Sequence, residues 1–416
     1  MYQPVTLSWS NLLLSLSDAL DMASPEIAQH QLRTAFITWE LGKAARMPAE
    51  ALEQLFIAAL FHDVGALTPE EKIRIHKKNA TQVHDHCILG EKFLRQKPEF
   101  APISRIVRFH HTKWKDWKVG HKESVVFESQ ILFLADMLER LIDRETYILH
   151  QHKDLVAQIE AMSNKEVCPE IVALLKTVAV REDFWLDIVS PRLYSLLLRE
   201  GPCRGKKIDM ARFSAISELF RMLIDFRSSF TATHSAGVAA SASAIAALSN
   251  LPETDEESLK LAGNLHDLGK LVVPHALFIK PGALTKDEFS VVRQHTYFTY
   301  SILTTVRGIE NIAEWAAFHH ERLDGTGYPF HVDAGTLSMG SRIMAVADIF
   351  TALAEDRSYR KGMGKKAVLA ILKNHGKEGG LDKNYVEIVE KHYEKIVAEM
   401  KKAQTEAQIF YNQVFT

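Results

Sequence analysis

The sequence predicts an all-α protein made of two tandem helical bundle domains, and three observations carry that expectation. Apolar residues recur at helical spacing with little strict alternation, as in Leu52, Leu55, Phe56, Ala59 and Leu60, or Ile343, Val346, Ala347, Phe350 and Leu353. Helix starts are legible in Thr68-Pro69-Glu70-Glu71 and Thr285-Lys286-Asp287-Glu288, where a capping hydroxyl precedes first-turn acids. Finally, one ordered set of potential metal ligands occurs twice along the chain, which implies a duplicated unit.

Length agrees with duplication, because 416 residues exceed one ordinary core and divide into two or three domains at roughly 100–200 residues each. Domains are expected over 1–200 and 207–416. The linker between them is Gly201-Pro202-Cys203-Arg204-Gly205-Lys206-Lys207, where two glycines and a proline end one helical run before Ile208 begins another. After the last ligand, Lys383 to Gln413 reads as further helix without assignable chemistry.

Composition narrows the function classes. Hydrophobic residues make up 47% and charged residues 25%, as in a globular chain and unlike a disordered one. Fifty basic against 52 acidic residues leave a net charge of −2, which argues against a nucleic-acid polymer as partner while leaving room for a local basic pocket. Cys87, Cys168 and Cys203 form no CxxC pair and no even set, so reduced thiols are expected. The N-terminus lacks the marks of a signal peptide, and no stretch approaches about 18 uninterrupted apolar residues. A soluble, cytoplasmic protein with no membrane partner is expected; homodimerisation is left open.

The duplicated ligands carry the chemistry. The first set is His30, His62-Asp63, His86, His110-His111 and Asp136; the second is His234, His266-Asp267, His295, His319-His320 and Asp348. The first two histidines of each set lie 32 positions apart, and His86 to His110 matches His295 to His319 at 24. Ten of the chain's 19 histidines fall in these two congruent patterns, which makes coincidence a poor explanation. Imidazole and carboxylate suit first-row transition metals, and seven such groups are too many for one ion, so each set implies a pair. Adjacent side chains on a helix diverge by about 100°, so a His-Asp doublet at a helix end can serve two ions. An aspartate shared between ions holds them roughly 3.5–4 Å apart, where a bridging water can become a nucleophile toward phosphorus.

His266-Asp267-Leu268-Gly269-Lys270, followed by His319-His320-Glu321-Arg322-Leu323-Asp324-Gly325-Thr326-Gly327-Tyr328-Pro329, resembles the HD-GYP family of bacterial cyclic dinucleotide phosphodiesterases. The likeness runs from about Phe230 to Arg360 and includes Val273-Pro274, Lys280-Pro281-Gly282, Leu284-Thr285 and the segment around Asp348. The resemblance implies an HD-like helical bundle for each half. It makes His234, His266, Asp267, His295, His319, His320 and Asp348 ligands to two divalent ions, iron or manganese, with Asp267 as the bridge. It also implies that Lys270, Arg357 and Arg360 face the substrate phosphates, and that Gly327 and Tyr328 belong to a substrate-side loop. Fixed cations there would offset the charge that develops on non-bridging phosphate oxygens. Glycines 325 and 327 are expected where the backbone turns sharply and approaches a ligand. Family members with a third metal carry a glutamate four positions before the first histidine; here that position is Phe230.

The first half keeps a full ligand set and adds Glu26, expected on one helical face with His30 by the i, i+4 rule. It lacks the substrate apparatus. Ala66 stands where the second half has Lys270, Thr112-Lys113-Trp114-Lys115-Asp116-Trp117 replaces the Gly-Tyr-Pro loop, and Glu145 and Ile148 stand in place of Arg357 and Arg360. The expectation is a degenerate HD-like domain that holds additional metal at Glu26, His30, His62, Asp63, His86, His110, His111 and Asp136 and acts as a regulatory or scaffold unit. Lys113, Trp114, Lys115 and Trp117 could offer stacking and charge to a nucleotide, or form an ordinary amphipathic loop.

The function expected is metal-dependent hydrolysis of a cyclic dinucleotide, with cyclic di-GMP ahead of cyclic GMP-AMP, Asp267 and Lys270 acting at the reaction centre. The contrasting reading is a catalytically silent receptor for a dinucleotide or for redox state.

Overall fold

In the computed structural model, the described residues are 6–22, 25–76, 84–118, 123–226, 233–280, 282–356 and 361–415. Phe230, Arg357 and Arg360 lie outside them. The protein is all-α. Among the described residues the sheet content is one antiparallel pair, Leu7–Ser8 with Lys207–Ile208, in which Leu7 faces Ile208. No helix among them is long and apolar enough to cross a membrane.

The chain divides into two compact units, one of Leu7–Ile208 and one that contains Asp209–Thr416. The expected linker is therefore part of the first unit. Lys207 and Ile208 pair back to Ser8 and Leu7, and Cys203 is fully buried, so 201–208 is tied down by a strand pair and a packed thiol.

The first unit is organised on the helix His30–Ala44, whose residues are nearly all buried. The helices Ala49–Leu60, Ser124–Leu141 and Pro169–Ala179 pack against it. Glu182–Ile188 adds Phe184, whose ring stacks on Phe36 at a centroid distance of 6.0 Å. The expected start at Thr68 is real: its hydroxyl accepts from the Glu71 amide, with Pro69 at the first helical position of Pro69–Ile75.

The second unit repeats this plan on His234–Leu248, surrounded by Glu253–Leu265, Met339–Ala354 and Tyr393–Phe415. Its sequence is rich in Ala, Ser and Gly, which lets neighbouring backbones come close. A Cβ on Gly263 would lie 2.4 Å from the Ala239 Cα, so that contact is made by main chain. Thr285 forms the expected capping box with Glu288 at the start of Lys286–Leu303. The helical tail resolves into Lys383–Lys391 and Tyr393–Phe415, interrupted at His392.

One packing device recurs in both units. Gly65 and Gly269 each sit two residues after the doublet aspartate, and a Cβ there would come within 2.0 and 1.9 Å of the carbonyl oxygens of His86 and His295. Absence of a side chain at these glycines presses the doublet turn onto the helix that supplies the next histidine.

Candidate metal centres and active site

In the C-terminal unit His266 caps the helix Glu253–Leu265 and Asp267 begins the following 3-10 turn, so the doublet occupies a helix end as its pattern requires. His234 opens its own helix, His295 comes from Lys286–Leu303, His319 and His320 follow Glu310–Ala317, and Asp348 lies in Met339–Ala354. The fold brings all seven together. Asp267 turns Oδ2 to His266 Nε2 at 3.1 Å and Oδ1 to His295 Nε2 at 3.6 Å. Asp348 turns Oδ1 to His234 Nε2 at 3.1 Å and Oδ2 to His320 Nδ1 at 3.8 Å. Each carboxylate thus spreads its two oxygens over two groups of imidazoles, as a bridging ligand must.

The N-terminal unit shows the same arrangement. Asp63 Oδ1 lies 3.1 Å from His86 Nε2, while Oδ2 lies 3.5 Å from His62 Nε2. Asp136 Oδ1 lies 3.3 Å from His30 Nε2, and its Oδ2 lies 3.9 Å from His111 Nδ1. His110 Nε2 is 3.3 Å from His86 Nε2. Glu26 does not share a helical face with His30 as expected. Pro25–Ile27 is a 3-10 turn and Gln29 takes φ 60, so the helix starts only at His30 and no i, i+4 face connects the two residues.

Protonation shows that the donor sets fit metal. His62, His110, His266, His295 and His319 donate Nδ1–H to the carbonyls of Ala59, Val107, Gly263, Val292 and Ala316, at 2.6–2.8 Å. A carbonyl only accepts, so Nδ1 keeps the proton and Nε2 presents a lone pair, which is the usual preparation of a ligating histidine. These Nε2 atoms then converge, for example His295 and His319 at 3.4 Å. Facing lone pairs repel unless a cation lies among them. Burial keeps His319 well below the usual imidazole range and lowers His295 to about 3, so these ligands stay neutral. Burial opposes ionisation of Asp267, yet the neighbouring His266 and Lys270 hold its carboxyl well below the ordinary range.

Sequence reasoning missed the residues that orient the first histidines. Glu355, buried, accepts from His234 Nδ1 at 3.1 Å and is itself held by Gln404 Nε2 at 3.0 Å from the C-terminal helix. Glu139 does the same for His30 at 2.5 Å, assisted by Arg33 and Arg144. Burial would lower both imidazoles, but Glu355 and Glu139, with Asp348 and Asp136, push each up to about 10. The available signal was a carboxylate one or two helical turns beyond the ligating aspartate.

The residues expected on the substrate side lie in the C-terminal unit. Lys270 Nζ reaches Asp267 Oδ2 at 2.5 Å and remains partly exposed. Tyr328 packs its ring 5.0 Å from that of His320, and Arg293, also missed from the sequence, lies over the Tyr328 ring at 4.5 Å. Gly325 takes φ 74, as a sharp turn requires. At Gly327 a Cβ would meet the backbone of Glu321 and Arg322 at 2.5 Å, so its bareness serves the loop's own closure. Buried Glu321 secures that loop by accepting from the Phe330 and His331 amides. In the N-terminal unit the corresponding loop is tied elsewhere. Trp114 and Lys115 donate their amides to Glu166 and Lys165, and Lys113 pairs with Glu166, so the aromatic segment is a braced turn.

Comparison with known proteins agrees with two units of one kind. An HD domain model matches residues 27–141, and a second HD domain model matches 218–385. The chain is 27% identical over 398 residues to 3′3′-cGAMP-specific phosphodiesterase 1 of Vibrio cholerae, covering 92% of each protein. A cyclic di-GMP phosphodiesterase of Pseudomonas aeruginosa is 40% identical over 134 residues, 32% of each chain. The crystal structure of a cyclic GMP-AMP-specific phosphodiesterase from V. cholerae superposes with a TM-score of 0.62 at 21% identity, covering 96% of this chain and 98% of that one, and so shares its fold.

Proposed function

This chain belongs to the HD-GYP family of HD-domain phosphodiesterases, and we propose that its C-terminal unit hydrolyses a 3′-5′ phosphodiester bond of a cyclic dinucleotide with the help of two divalent ions, iron or manganese. The observation that carries the reading is Asp267. One of its oxygens faces His295 and the other faces His266, with the Lys270 ammonium on the latter oxygen at 2.5 Å. Bound to the seven ligands, such ions supply the acidity that makes water nucleophilic at neutral pH and the charge that polarises a phosphoryl oxygen.

The chain's own residues do the rest. His266, His295 and His319 turn Nε2 inward because their Nδ1 protons are engaged by backbone. Lys270 adds a fixed positive charge beside Asp267, where a phosphate oxygen gaining charge is stabilised. Arg293 and Tyr328 form the described part of the wall on which a nucleotide would rest, and Arg357 and Arg360 are assigned to the phosphates by resemblance alone. The reading needs no nucleic-acid polymer and no membrane, and it is compatible with a homodimer. Three buried thiols outside any disulfide suit a reducing cytoplasm. The N-terminal unit, with Ala66 for Lys270 and a braced Trp114 turn, does not hydrolyse the substrate.

Within this reading, cyclic GMP-AMP stands beside cyclic di-GMP as a second candidate substrate. The relatives matched along both units are named as specific for 3′3′-cGAMP, whereas those named for cyclic di-GMP match about a third of the chain. The test is product chromatography with the two dinucleotides side by side, with and without chelator. Cleavage of at least one, lost on chelation and restored by iron or manganese, is expected; intact substrate in metal-loaded protein would overturn the assignment.

A further inference from the structure

Two side chains near the N-terminal ligands have no part in the duplicated pattern, and each meets a different end of that cluster. His76, from the end of Pro69–Ile75, points Nε2 at Asp63 Oδ2 from 3.4 Å, and its ring lies 4.2 Å from that of His30. Its Nδ1 donates to the Lys72 carbonyl at 2.6 Å. That is the same preparation found in the recognised ligands: proton held by backbone, lone pair turned toward a carboxylate. A lone pair and a carboxylate oxygen at that distance repel unless a cation joins them. In the C-terminal unit the corresponding oxygen, Asp267 Oδ2, meets the Lys270 ammonium instead.

At the other end stands Cys87. Its Sγ, with ligand atoms of His86, His110 and His111, forms a buried group in which all four atoms lie within 4.8 Å of one another, and Sγ is 3.7 Å from His86 Nε2. The C-terminal counterpart is Thr296, whose hydroxyl turns away to the Arg293 carbonyl. The first unit therefore adds a soft donor where the second adds none.

Accessibility differs in the same sense. The His111 side chain is 8% exposed, against 30% for its counterpart His320. A cavity of about 510 Å³ reaches the N-terminal cluster only as far as its wall residues His76 and Glu139, with Arg140 and Arg144 beside them; His62, Asp63 and Asp136 do not line it. His76 stands between that cavity and Asp63.

We infer that the N-terminal unit holds a coordinatively closed metal centre, in which His76 and Cys87 ligate alongside the duplicated histidines and aspartates and fill the positions that the C-terminal unit leaves open to substrate. Thiolate with imidazole selects zinc(II) or iron(II) over harder ions, and closed coordination is the mark of structural sites, while catalytic ones keep a position free. Binding converts the Cys87 thiol to a metal thiolate and releases its proton to solvent, with no change of oxidation state. The inference does not depend on hydrolysis by the other unit.

The test uses the full chain stripped of metal and loaded with cobalt(II). Because the C-terminal ligands are nitrogen and oxygen only, a near-ultraviolet sulfur-to-cobalt charge-transfer band reports the N-terminal unit alone. The band is expected in the wild type, in Cys168→Ser and in Cys203→Ser, and is expected to vanish in Cys87→Ser. His76→Phe is expected to keep the band and to release N-terminal cobalt to chelator at least about tenfold more readily, the scale of loss when a metal's supporting group is removed. Elemental analysis of Asp63→Asn, with fewer ions per chain than wild type, assigns the loss to this unit. X-ray absorption of wild-type protein as isolated, which needs no variant, should show a sulfur scatterer at the metal. Absence of the band and of a sulfur scatterer in loaded wild type, a band that persists in Cys87→Ser, or an ion count unchanged in Asp63→Asn would overturn the inference. Dinucleotide turnover in the same preparations reports the C-terminal unit separately.

Discussion

Asp63 and Asp267 hold corresponding places in two ligand sets of the same order and nearly the same spacing, yet the outer oxygen of one meets an imidazole and that of the other an ammonium. The first arrangement offers a metal one more donor. The second leaves a partly exposed cation that an incoming phosphate can share. The lesson is that duplication preserves the ligands readily, while function is decided by the few residues bordering them. His76 and Cys87 close one centre; Lys270, Arg293, Tyr328 and a partly exposed His320 keep the other approachable.

The largest test of this contrast removes the shared carboxylate from each unit in turn. Asp267→Ala should strip metal from the C-terminal unit and lower turnover by about 10³-fold or more, at or beyond the upper range for loss of one electrostatic partner. Asp63→Ala should lower the ion count similarly while leaving dinucleotide turnover within about tenfold of wild type. Steady-state kinetics with elemental analysis of both variants checks the pair; equal loss of turnover in the two would break the division of labour. Next in size is Lys270→Ala, expected to retain metal and lose about 10²-fold in kcat, since it removes a transition-state cation without touching a ligand. The reciprocal Ala66→Lys should confer no hydrolysis on the first unit, because His76 still closes Asp63.

Much of this was legible in the sequence. The seven ligands announce themselves because a metal demands fixed residue types, and a duplicated spacing survives only if the intervening helices keep their lengths. Thr68 and Thr285 were readable because capping is local chemistry. Glu139 and Glu355 were not, since they support equivalent histidines from three and seven positions beyond their aspartates, so no common spacing links them. Gln404 was hidden for a related reason: its role depends on a long helix returning to the centre, which no local pattern encodes. The expected helical face of Glu26 and His30 failed because the i, i+4 rule presumes a helix, and the left-handed Gln29 ends that presumption. His76 and Cys87 escaped because they belong to one half alone, and a search for what the halves share discards what distinguishes them.

Acidity should sharpen the comparison in metal-free protein. Burial depresses His62, His76, His110 and His111 in one unit and His295, His319 and His320 in the other. Their unfolded forms take up protons near 6.5 while the folded forms do not, so stability falls as pH drops from about 6.5. His30, His86 and His234 run the other way, raised to about 10: what they contribute is complete below 6.5 and is lost as pH climbs toward 10. Two raised histidines belong to the first unit and one to the second. Hydrogen exchange on the chelated chain should therefore show deprotection in both units between pH 7 and 5, and a larger loss in the first between pH 7 and 9. A first unit indifferent to alkali would contradict the Glu139–His30 pairing.

The smallest effect concerns Arg293. Its guanidinium lies 4.5 Å over the Tyr328 ring and only two residues before His295, whereas the matching position in the first unit is the exposed His84. A cation over an aromatic face at a partly exposed site contributes about 0.5–1 kcal/mol, enough to fix the ring without moving a ligand. Arg293→Met keeps most of the side chain's length and apolar contact and removes only the charge. If Tyr328 positions the substrate, this variant should raise KM by about two- to fivefold with kcat nearly unchanged, the pattern of lost uniform binding. Tyr328→Phe, which keeps the ring, should leave the Arg293 contribution intact, while Tyr328→Ala should make Arg293→Met silent. A full Arg293 effect in the Tyr328→Ala background would separate the two residues and leave the substrate-side wall without the partnership that distinguishes it from the closed centre.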